Sequence, residues 1–218
     1  MCRKAITVGA TDKSDDIETF SSRGVLPGFW ELIKPDILAP GRNIQSTVPA
    51  AGKLADPDRY LTASGTSQAT PHVAGSAALL KQLHPSWTPE MIKASLMNTA
   101  KDLGSNVFTQ GAGRVQVGLA AQAQGVLAPG SIGFGRAVPD ETLWTRTAYL
   151  QLTNVTSSTL DYLLAVGGGY PAGVAVSVAP SSVSLAAGAS ITVTVQITVD
   201  NTLTPFPEEE PYIYEGSV

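Results

Sequence analysis

Cysteine is nearly absent from this chain, which has only Cys2 among its 218 residues. A single cysteine excludes an internal disulfide framework and is compatible with either a secreted or a cytosolic protein. Long hydrophobic runs are lacking as well, because no segment approaches the roughly eighteen apolar residues that a membrane-spanning helix requires. We therefore expect no membrane span. Histidine is also scarce, since His72 and His84 are the only two in the sequence.

Charged residues are few and slightly acidic in balance. They make up 15% of the chain, and the net charge is -4, so neither nucleic acid nor an anionic membrane is expected as the main partner. The apolar run Ala5–Ala10 follows Met1–Lys4 directly and is too short for the hydrophobic region of a signal peptide. We therefore expect no signal peptide in this chain. Because the chain opens on a core strand, we also expect it to lack the beginning of its first domain.

The first part of the chain, residues 1–124, alternates short apolar runs with helical patterns. Pro71 and Pro89 each fall in a first helical turn, where a missing N–H costs little, and Thr88 is a suitable N-cap. Strands that alternate with helices predict an α/β domain with a parallel sheet. The predicted elements are strands at Ala5–Ala10, Asp36–Ala39 and Tyr60–Ala63, a helix from Ser67 to Leu83, and a second helix from Pro89 to Ala100 with Ile92, Leu96 and Met97 as its apolar stripe.

The helical signal disappears after Gly125–Gly130, where the composition changes. Ala189–Asp200 is typical of a half-buried strand, because apolar and polar residues alternate along it. Its predicted apolar face consists of Ile191, Val193, Val195, Ile197 and Val199. Further strands are predicted at Thr147–Val155, Tyr162–Val166, Val174–Val178 and Tyr212–Val218. Short strands at this spacing indicate an all-β sandwich over residues 130–218, truncated at its end.

The segment from Gly65 to Gly75, Gly-Thr-Ser-Gln-Ala-Thr-Pro-His-Val-Ala-Gly, carries the strongest chemical signal. It places Ser67 between a strand and a helix rich in small residues. Free N–H groups and the positive end of the helix dipole would lie beside its hydroxyl, which suits the binding of an oxyanion. A serine hydroxyl is a good nucleophile only when a positioned base takes its proton and a third group orients that base. The alternative is that Ser67 is only a helix N-cap.

This segment resembles the nucleophile segment of the subtilisin-like serine proteases. Four further segments match that family in order, namely Ile6–Ala10, Phe20–Gly24, Lys34–Gly41 and Gly111–Val115. The resemblance implies the C-terminal half of a subtilisin-like catalytic domain over residues 1–124 and a truncated fibronectin type III-like domain over 130–218. It implies hydrolysis of protein or peptide substrates, with Ser67 as the acylated nucleophile and Gly65 and Thr66 beside the oxyanion and the substrate. It also implies an extracellular or cell-envelope location.

The chain departs from this family in what it does not contain. The family's catalytic aspartate, its histidine in a His-Gly-Thr-His context and its oxyanion asparagine would precede Ala5, and none of these motifs occurs. We therefore expect no activity from this polypeptide alone, and the missing N-terminal half, as a separate chain, is one expected partner. An uncovered sheet edge and helix face should make the first domain poorly stable or prone to aggregation. The alternative is a non-catalytic protease remnant whose β-sandwich is an adhesion or spacer module.

Neither histidine is expected to act as the base. His72 lies about 500° around the helix from Ser67, so the two side chains do not share a face. We expect His72 to be packed and hydrogen-bonded. His84 lies at the far end of the same helix, roughly 25 Å away at 1.5 Å per residue.

Several other polar residues have structural interpretations. Asp36 is expected to form turn hydrogen bonds. Residues 12–18 are predicted to be a solvated acidic loop, and a calcium site there is the alternative, because hard cations favour clustered oxygens. Otherwise no cofactor and no metal is expected. The acidic residues of this loop are Asp12, Asp15, Asp16 and Glu18. Asn154-Val155-Thr156 fits the glycosylation sequon, which has meaning only in a eukaryotic secretory setting.

Overall fold

The computed structural model describes residues 4–24, 31–51, 59–137, 141–204 and 215–218. The chain divides into two compact units, namely Met1–Gly24 with Lys34–Ala121, and Val25–Ile33 with Gln122–Val218. The first unit contains helices and strands, whereas the described part of the second contains strands alone. The fold is therefore mixed α/β, and the domain limits at residues 124 and 130 remain predictions. None of the described helices is long and apolar enough to cross a membrane.

A parallel pair of buried strands forms the core of the first unit. Strand β1 (Val8–Thr11) pairs with β2 (Ile37–Pro40), which confirms the parallel arrangement predicted for these two strands. Both strands are largely inaccessible to solvent, since the buried residues include Ala10, Ile37, Leu38 and Ala39. On the other side of β2, the Leu38 amide donates to the Gly113 carbonyl over 2.8 Å, and the Leu38 carbonyl accepts from Val115 over 2.9 Å. The segment around Gly113 therefore extends the sheet.

Strand β1 begins at Val8 rather than at the predicted Ala5, because Thr7 has another partner. The Thr7 amide donates to Asp36 Oδ2 over 2.7 Å, and the Thr7 carbonyl accepts from the Asp36 amide over 2.9 Å. The amide and the carbonyl of Thr7 therefore both bond to Asp36, at the start of the sheet.

The outer edge of β1 is covered by a loop of the same unit. The Ala10 amide donates to Ser21 Oγ over 3.0 Å, and the Ala10 carbonyl accepts from the Glu18 amide, also over 3.0 Å. An isolated antiparallel bridge between Thr11 and Ile17 continues this contact. The expectation of an uncovered sheet edge is therefore wrong at β1, because residues 17–21 pair with its outward-pointing groups.

The helices of the first unit are α1 (Thr66–Leu83), α2 (Pro89–Asn98), α3 (Val107–Gln110) and α4 (Val117–Ala121). The start of α2 is confirmed, since Pro89 is its first residue and the Thr88 hydroxyl accepts from the Met91 amide over 3.2 Å. Its predicted apolar stripe of Ile92, Leu96 and Met97 is buried. Ser95 Oγ donates to the Ala120 carbonyl over 3.2 Å, which connects α2 to α4.

Helix α1 is buried on one face and exposed on another. Its buried residues are Ala69, Val73, Ser76 and Leu80, and the helix contacts β1 and β2. Two leucines of the same helix are exposed, since Leu79 is 56% exposed and Leu83 is 57% exposed. The expectation of an uncovered helix face is confirmed at these two leucines.

A hairpin leads into α1. Strand β3 (Ile44–Thr47) pairs antiparallel with β4 (Tyr60–Ala63), with Ile44 opposite Ala63. The bounds of β4 are those predicted. The sequence did not indicate β3, because most of its side chains are exposed and it lacks the apolar alternation that marks a half-buried strand.

The second unit contains two antiparallel sheets. The larger has the order β5-β6-β10-β8, and the smaller pairs β7 with β9. These strands are β5 (Gly125–Ala128), β6 (Leu143–Asn154), β7 (Leu160–Leu163), β8 (Val174–Ala179), β9 (Ser182–Leu185) and β10 (Ser190–Asp200). A shared cluster contains Leu150 and Leu152 of β6, Val193 and Val195 of β10, and Leu185 of β9. The predicted alternation of apolar and polar residues along β10 is confirmed. The segment Gly125–Gly130, where the composition changes, contains β5. Part of the strand predicted at 212–218 lies outside the described residues.

Asn154 connects several segments of the second unit. It is fully buried, and its Nδ2 donates to the carbonyls of Ser158 (2.8 Å), Leu185 (2.9 Å) and Ala186 (3.1 Å). Its Oδ1 accepts from the amide of Thr156 over 3.0 Å and from its hydroxyl over 2.8 Å. Both the oxygen and the nitrogen of this amide are therefore hydrogen-bonded within the second unit, and the sequon asparagine is buried in the folded chain.

Candidate active site

The start of α1 lies where the carboxyl ends of β1 and β2 meet. The Gly41 amide, just after β2, donates to the carbonyl of Thr11 at the end of β1 over 2.8 Å. The Gly65 amide, just before α1, donates to the Gly41 carbonyl, also over 2.8 Å. The carboxyl ends of parallel strands are where α/β sheets bind their ligands. These two bonds therefore place the Gly65–Ser67 turn at a location suited to chemistry.

Gly41 is required by close packing at this turn. A Cβ atom there would lie 2.7 Å from the Gly65 carbonyl oxygen and 2.8 Å from the Ala10 Cβ. Both contacts are too short for real atoms, so a side chain would displace either the turn or the sheet. A second bond holds the same turn, because the Asn43 amide donates to Ser64 Oγ over 2.9 Å.

Ser67 is the second residue of α1 and its side chain is exposed. The N-cap is Gly65, which provides no side-chain bond to the first turn. The alternative that Ser67 is the N-cap is therefore wrong. The amides of Gln68 and Ala69 both donate to the Gly65 carbonyl, over 3.0 and 3.2 Å. The amides of Thr66 and Ser67 precede these bonds and belong to the first helical turn, whose N–H groups have no partner within the helix.

His72 is exposed rather than packed as predicted. The expected hydrogen bond is present, because its Nδ1 lies 3.0 Å from the Gln68 carbonyl oxygen. A carbonyl only accepts, so Nδ1 carries the proton in this bond. The bond directs the ring toward its own helix, and positions 67 and 72 are about 140° apart around the axis. The ring is exposed because it lies away from the face of α1 that contacts β1 and β2.

His84 is the C-cap residue of α1, at the opposite end from Ser67. Its ring stacks on Trp87 with 3.9 Å between the ring centroids and 7° between the planes. At 1.5 Å per residue it is about 25 Å from Ser67 along the helix. His84 therefore has a structural role in the turn that leads from α1 toward α2.

Two of the four carboxylates between residues 12 and 18 have cationic partners. Asp15 accepts from Lys101 over 2.7 Å and from Arg114 over 2.6 Å, and hydrogen bonds from these two side chains lower the pKa of Asp15. Glu18 is buried and lies 2.8 Å from Arg42. The expectation of a solvated loop is therefore wrong for Asp15 and Glu18, because long-range cations contact them. Among described residues, no group of three or more His, Cys, Asp or Glu could hold a metal ion.

Asp36 forms one local and one long-range ion pair rather than turn hydrogen bonds alone. It is buried, and its carboxylate lies 2.7 Å from Lys34 Nζ and 2.9 Å from Lys93 Nζ. Burial by itself would raise the pKa of Asp36, but hydrogen bonds from Lys34, Thr7 and Lys93 outweigh that effect and hold the pKa below its ordinary value. Asp36 therefore connects the start of β2 to α2 and to the residue before β1.

Comparisons with known proteins place this chain in one family. The model of the subtilase family matches residues 1–114. Minor extracellular protease Vpr from Bacillus subtilis (strain 168) is 39% identical over 159 residues, which are 69% of this chain and 19% of that protein. Subtilisin BL from Lederbergia lenta is 45% identical over 108 residues, 49% of this chain and 35% of that protein. Subtilisin-like protease SBT1.9 from Arabidopsis thaliana is 45% identical over 115 residues, half of this chain and 16% of that protein. The chain thus spans about a third or less of the length of these relatives.

Proposed function

The chain belongs to the subtilase family, and on that premise we propose that it takes part in serine peptidase chemistry on protein or peptide substrates, with Ser67 as the nucleophile. The observation that carries this proposal is the location of Ser67. It is exposed at the second position of α1, beside the turn in which Gly65 is bound to Gly41. A hydroxyl at this position is accessible to a substrate, and the free amides of a first helical turn suit an oxyanion.

In the proposed reaction, Ser67 Oγ attacks the carbonyl carbon of a peptide bond and forms a tetrahedral intermediate. The Ser67 amide donates to the oxyanion, and Gly65 and Thr66 lie beside it. Collapse of the intermediate breaks the C–N bond and leaves an acyl group on Ser67, which water then removes. A base must take the hydroxyl proton at the first step and deliver it to the leaving amine.

We propose that this base is neither His72 nor His84. The first donates to the Gln68 carbonyl on a different side of α1, and the second lies at the far end of the same helix. These are the only histidines in the sequence. The base and its orienting acid would therefore lie outside the residues of this sequence, and our proposal for their source is the N-terminal half of a subtilase domain, as a separate chain. The chain alone would be inactive.

The remaining parts of the proposal concern the second unit and the location. We propose a fibronectin type III-like sandwich for the second unit, supported by its two antiparallel sheets and their shared apolar cluster. An extracellular or cell-envelope location is supported by the similarity to the extracellular protease Vpr. The proposed chemistry requires no cofactor, and calcium binding at residues 12–18 remains the alternative.

Active-site labelling with a fluorophosphonate tests the nucleophile. We expect the purified chain alone to remain unlabelled and to cleave no casein. When it is co-expressed with the part of Subtilisin BL that lies outside the matched 108 residues, we expect one label on Ser67. Ser67→Ala should abolish that label, whereas Ser157→Ala, at an exposed serine of the second unit, should retain it. Labelling of another residue, or labelling of the chain alone, would contradict the proposal.

A further inference from the structure

The side chains of β6, β10 and β8 alternate between the two sides of the larger sheet in the second unit. One side packs in the apolar clusters of that unit. The other side, which we call the outer face, consists of threonine, serine, glutamine, alanine and a single tyrosine, and all of these residues are exposed or half-buried. It comprises the odd-numbered residues of 145–153 and 175–179 and the even-numbered residues of 190–198. None of them is charged.

Tyr149 is the one aromatic residue of the outer face. It is 67% exposed and forms no hydrogen bond or ring contact with another described residue. The register of the sheet places it opposite Thr194, and Thr194 lies opposite Ala179 on the next strand. Side-chain size therefore falls along this row from Tyr149 to the single methyl group of Ala179. An accessible aromatic ring thus lies beside a lower strip of small residues on β8.

A row of polar groups runs next to Tyr149 across the same three strands. Thr147, Gln196 and Ser177 lie opposite one another in this row, which is about 7 Å from Tyr149 along the strands, since two residues of a strand span that length. Gln196 Nε2 donates to Thr147 Oγ1 over 3.3 Å. The second amide hydrogen of Gln196, its carbonyl oxygen and the Ser177 hydroxyl remain for a ligand. The row therefore offers both donors and acceptors.

This combination of groups fits an uncharged sugar polymer. Sugar rings have C–H faces that stack on the electron-rich face of an aromatic ring, and their hydroxyls both donate and accept hydrogen bonds. A face without charge provides no electrostatic attraction for nucleic acid or for an anionic membrane. Protein interfaces have an apolar core in which several aromatic or other large side chains meet, whereas Tyr149 is alone among small and polar residues. The outer face therefore favours a glycan over a protein partner.

We propose that the outer face binds an uncharged polysaccharide, with one sugar ring stacked on Tyr149 and an adjacent ring hydrogen-bonded to Gln196 and Ser177. An extended polymer that lies flat on the sheet makes these contacts together. The inference concerns the second unit and does not depend on the proposed role of Ser67. Such a site would hold the chain at a polysaccharide surface whether or not a peptidase site is assembled.

Retention of the full chain by defined polysaccharides tests this site. The uncharged probes are cellulose, chitin and β-mannan, and polygalacturonate is the charged comparison. We expect retention by at least one uncharged probe and none by polygalacturonate. Because the face has no charge, retention should be the same at about 0.05 and about 0.5 M NaCl. Ser67→Ala should be retained as well as wild type, so failure of the proposed nucleophile would leave this inference intact.

Variants at Tyr149 locate the contact. Tyr149→Ala should weaken retention about fivefold, because a stacking contact is lost, whereas Tyr149→Phe keeps the ring and should retain most of the binding. Leu163→Ala is the matched control, since Leu163 is 87% exposed and belongs to β7 of the smaller sheet. It should bind as wild type does. Circular dichroism and thermal unfolding confirm that each variant is folded.

Tyrosine nitration provides a second measurement that needs no variant. With soluble oligosaccharides of the retained polymer, Tyr149 should be nitrated by tetranitromethane about fivefold more slowly, in line with loss of access to a stacked ring. Tyr60, which is 52% exposed in the first unit, should react equally with and without the sugar. Retention by none of the uncharged probes, retention by polygalacturonate alone, binding that is insensitive to Tyr149, or Tyr149-dependent dimerisation in sedimentation velocity would each overturn the proposal.

Discussion

The Gly65 amide donates a 2.8 Å hydrogen bond to the Gly41 carbonyl, and this bond attaches the start of α1 to the end of β2. The two glycines occur in different motifs of the sequence, yet they form one turn. Their contact requires that Gly41 have no side chain, because a Cβ there would meet the Gly65 carbonyl oxygen at 2.7 Å. The position of Ser67 therefore depends on a residue that precedes it by more than twenty positions.

Gly41→Ala should destabilise the first unit and displace the Gly65–Ser67 turn. The added methyl group must displace either the Gly65 carbonyl or Ala10, and overpacking of this kind costs about 1–3 kcal/mol. Urea unfolding followed by the helical circular dichroism signal, to which the described helices of the first unit contribute, measures the change in the free energy of unfolding. The matched control is Gly75→Ala, which meets no neighbour within 4 Å in the described residues and should stabilise α1 by about 0.5–1 kcal/mol. Equal effects of the two substitutions would contradict this account of the turn.

The ion pairs of Asp36 predict a loss of stability in acid. The pKa of Asp36 is lowered in the folded chain, so the unfolded chain binds its proton first as pH falls. The stabilisation is therefore fully present above about pH 4, the ordinary pKa of aspartate, and is lost as pH falls further through the folded pKa. Asp36→Asn should destabilise the unit by about 3 kcal/mol at pH 7, since it leaves Lys34 and Lys93 without their carboxylate.

Unfolding curves at several pH values between 7 and 3 measure this effect. The difference between wild type and Asp36→Asn should shrink below about pH 4. Asp161→Asn serves as the control, because that carboxylate is exposed on β7 and forms no ion pair with a lysine or arginine among the described residues. A pH profile that is the same in wild type and Asp36→Asn would show that Asp36 does not contribute in this way.

The sequence predicts those features that depend on neighbouring residues. The alternation of β10 identifies its buried face, and Thr88 with Pro89 identifies the start of α2, because local patterns decide both. The partners of Asp15 are different, since Arg114 is 99 positions away and only the folded chain brings the two together. Leu79 is apolar and yet 56% exposed, because helical spacing identifies apolar positions but does not decide which of them a distant segment covers.

The surroundings of Asn154 predict that the folded chain carries no glycan. Its Nδ2, the atom that glycosylation would modify, donates to the carbonyls of Ser158, Leu185 and Ala186. A sugar on this atom would replace one of its two N–H donors and would have to enter a fully buried site. When the chain is expressed in a eukaryotic secretory host, intact mass of the folded monomer should show no glycan, and any glycosylated fraction should be misfolded.

Asn154→Ala tests the same contacts through stability. It leaves the carbonyls of Leu185 and Ala186 without their donor, and a buried group without a partner costs about 1–3 kcal/mol. Thr156→Val removes the sequon together with the hydroxyl contact to Asn154 Oδ1 but keeps the three Nδ2 bonds, so its effect should be smaller. Thermal unfolding of the second unit ranks the two variants. A folded, glycosylated monomer of normal stability would show that Asn154 is accessible in solution, which would contradict the burial of its side chain.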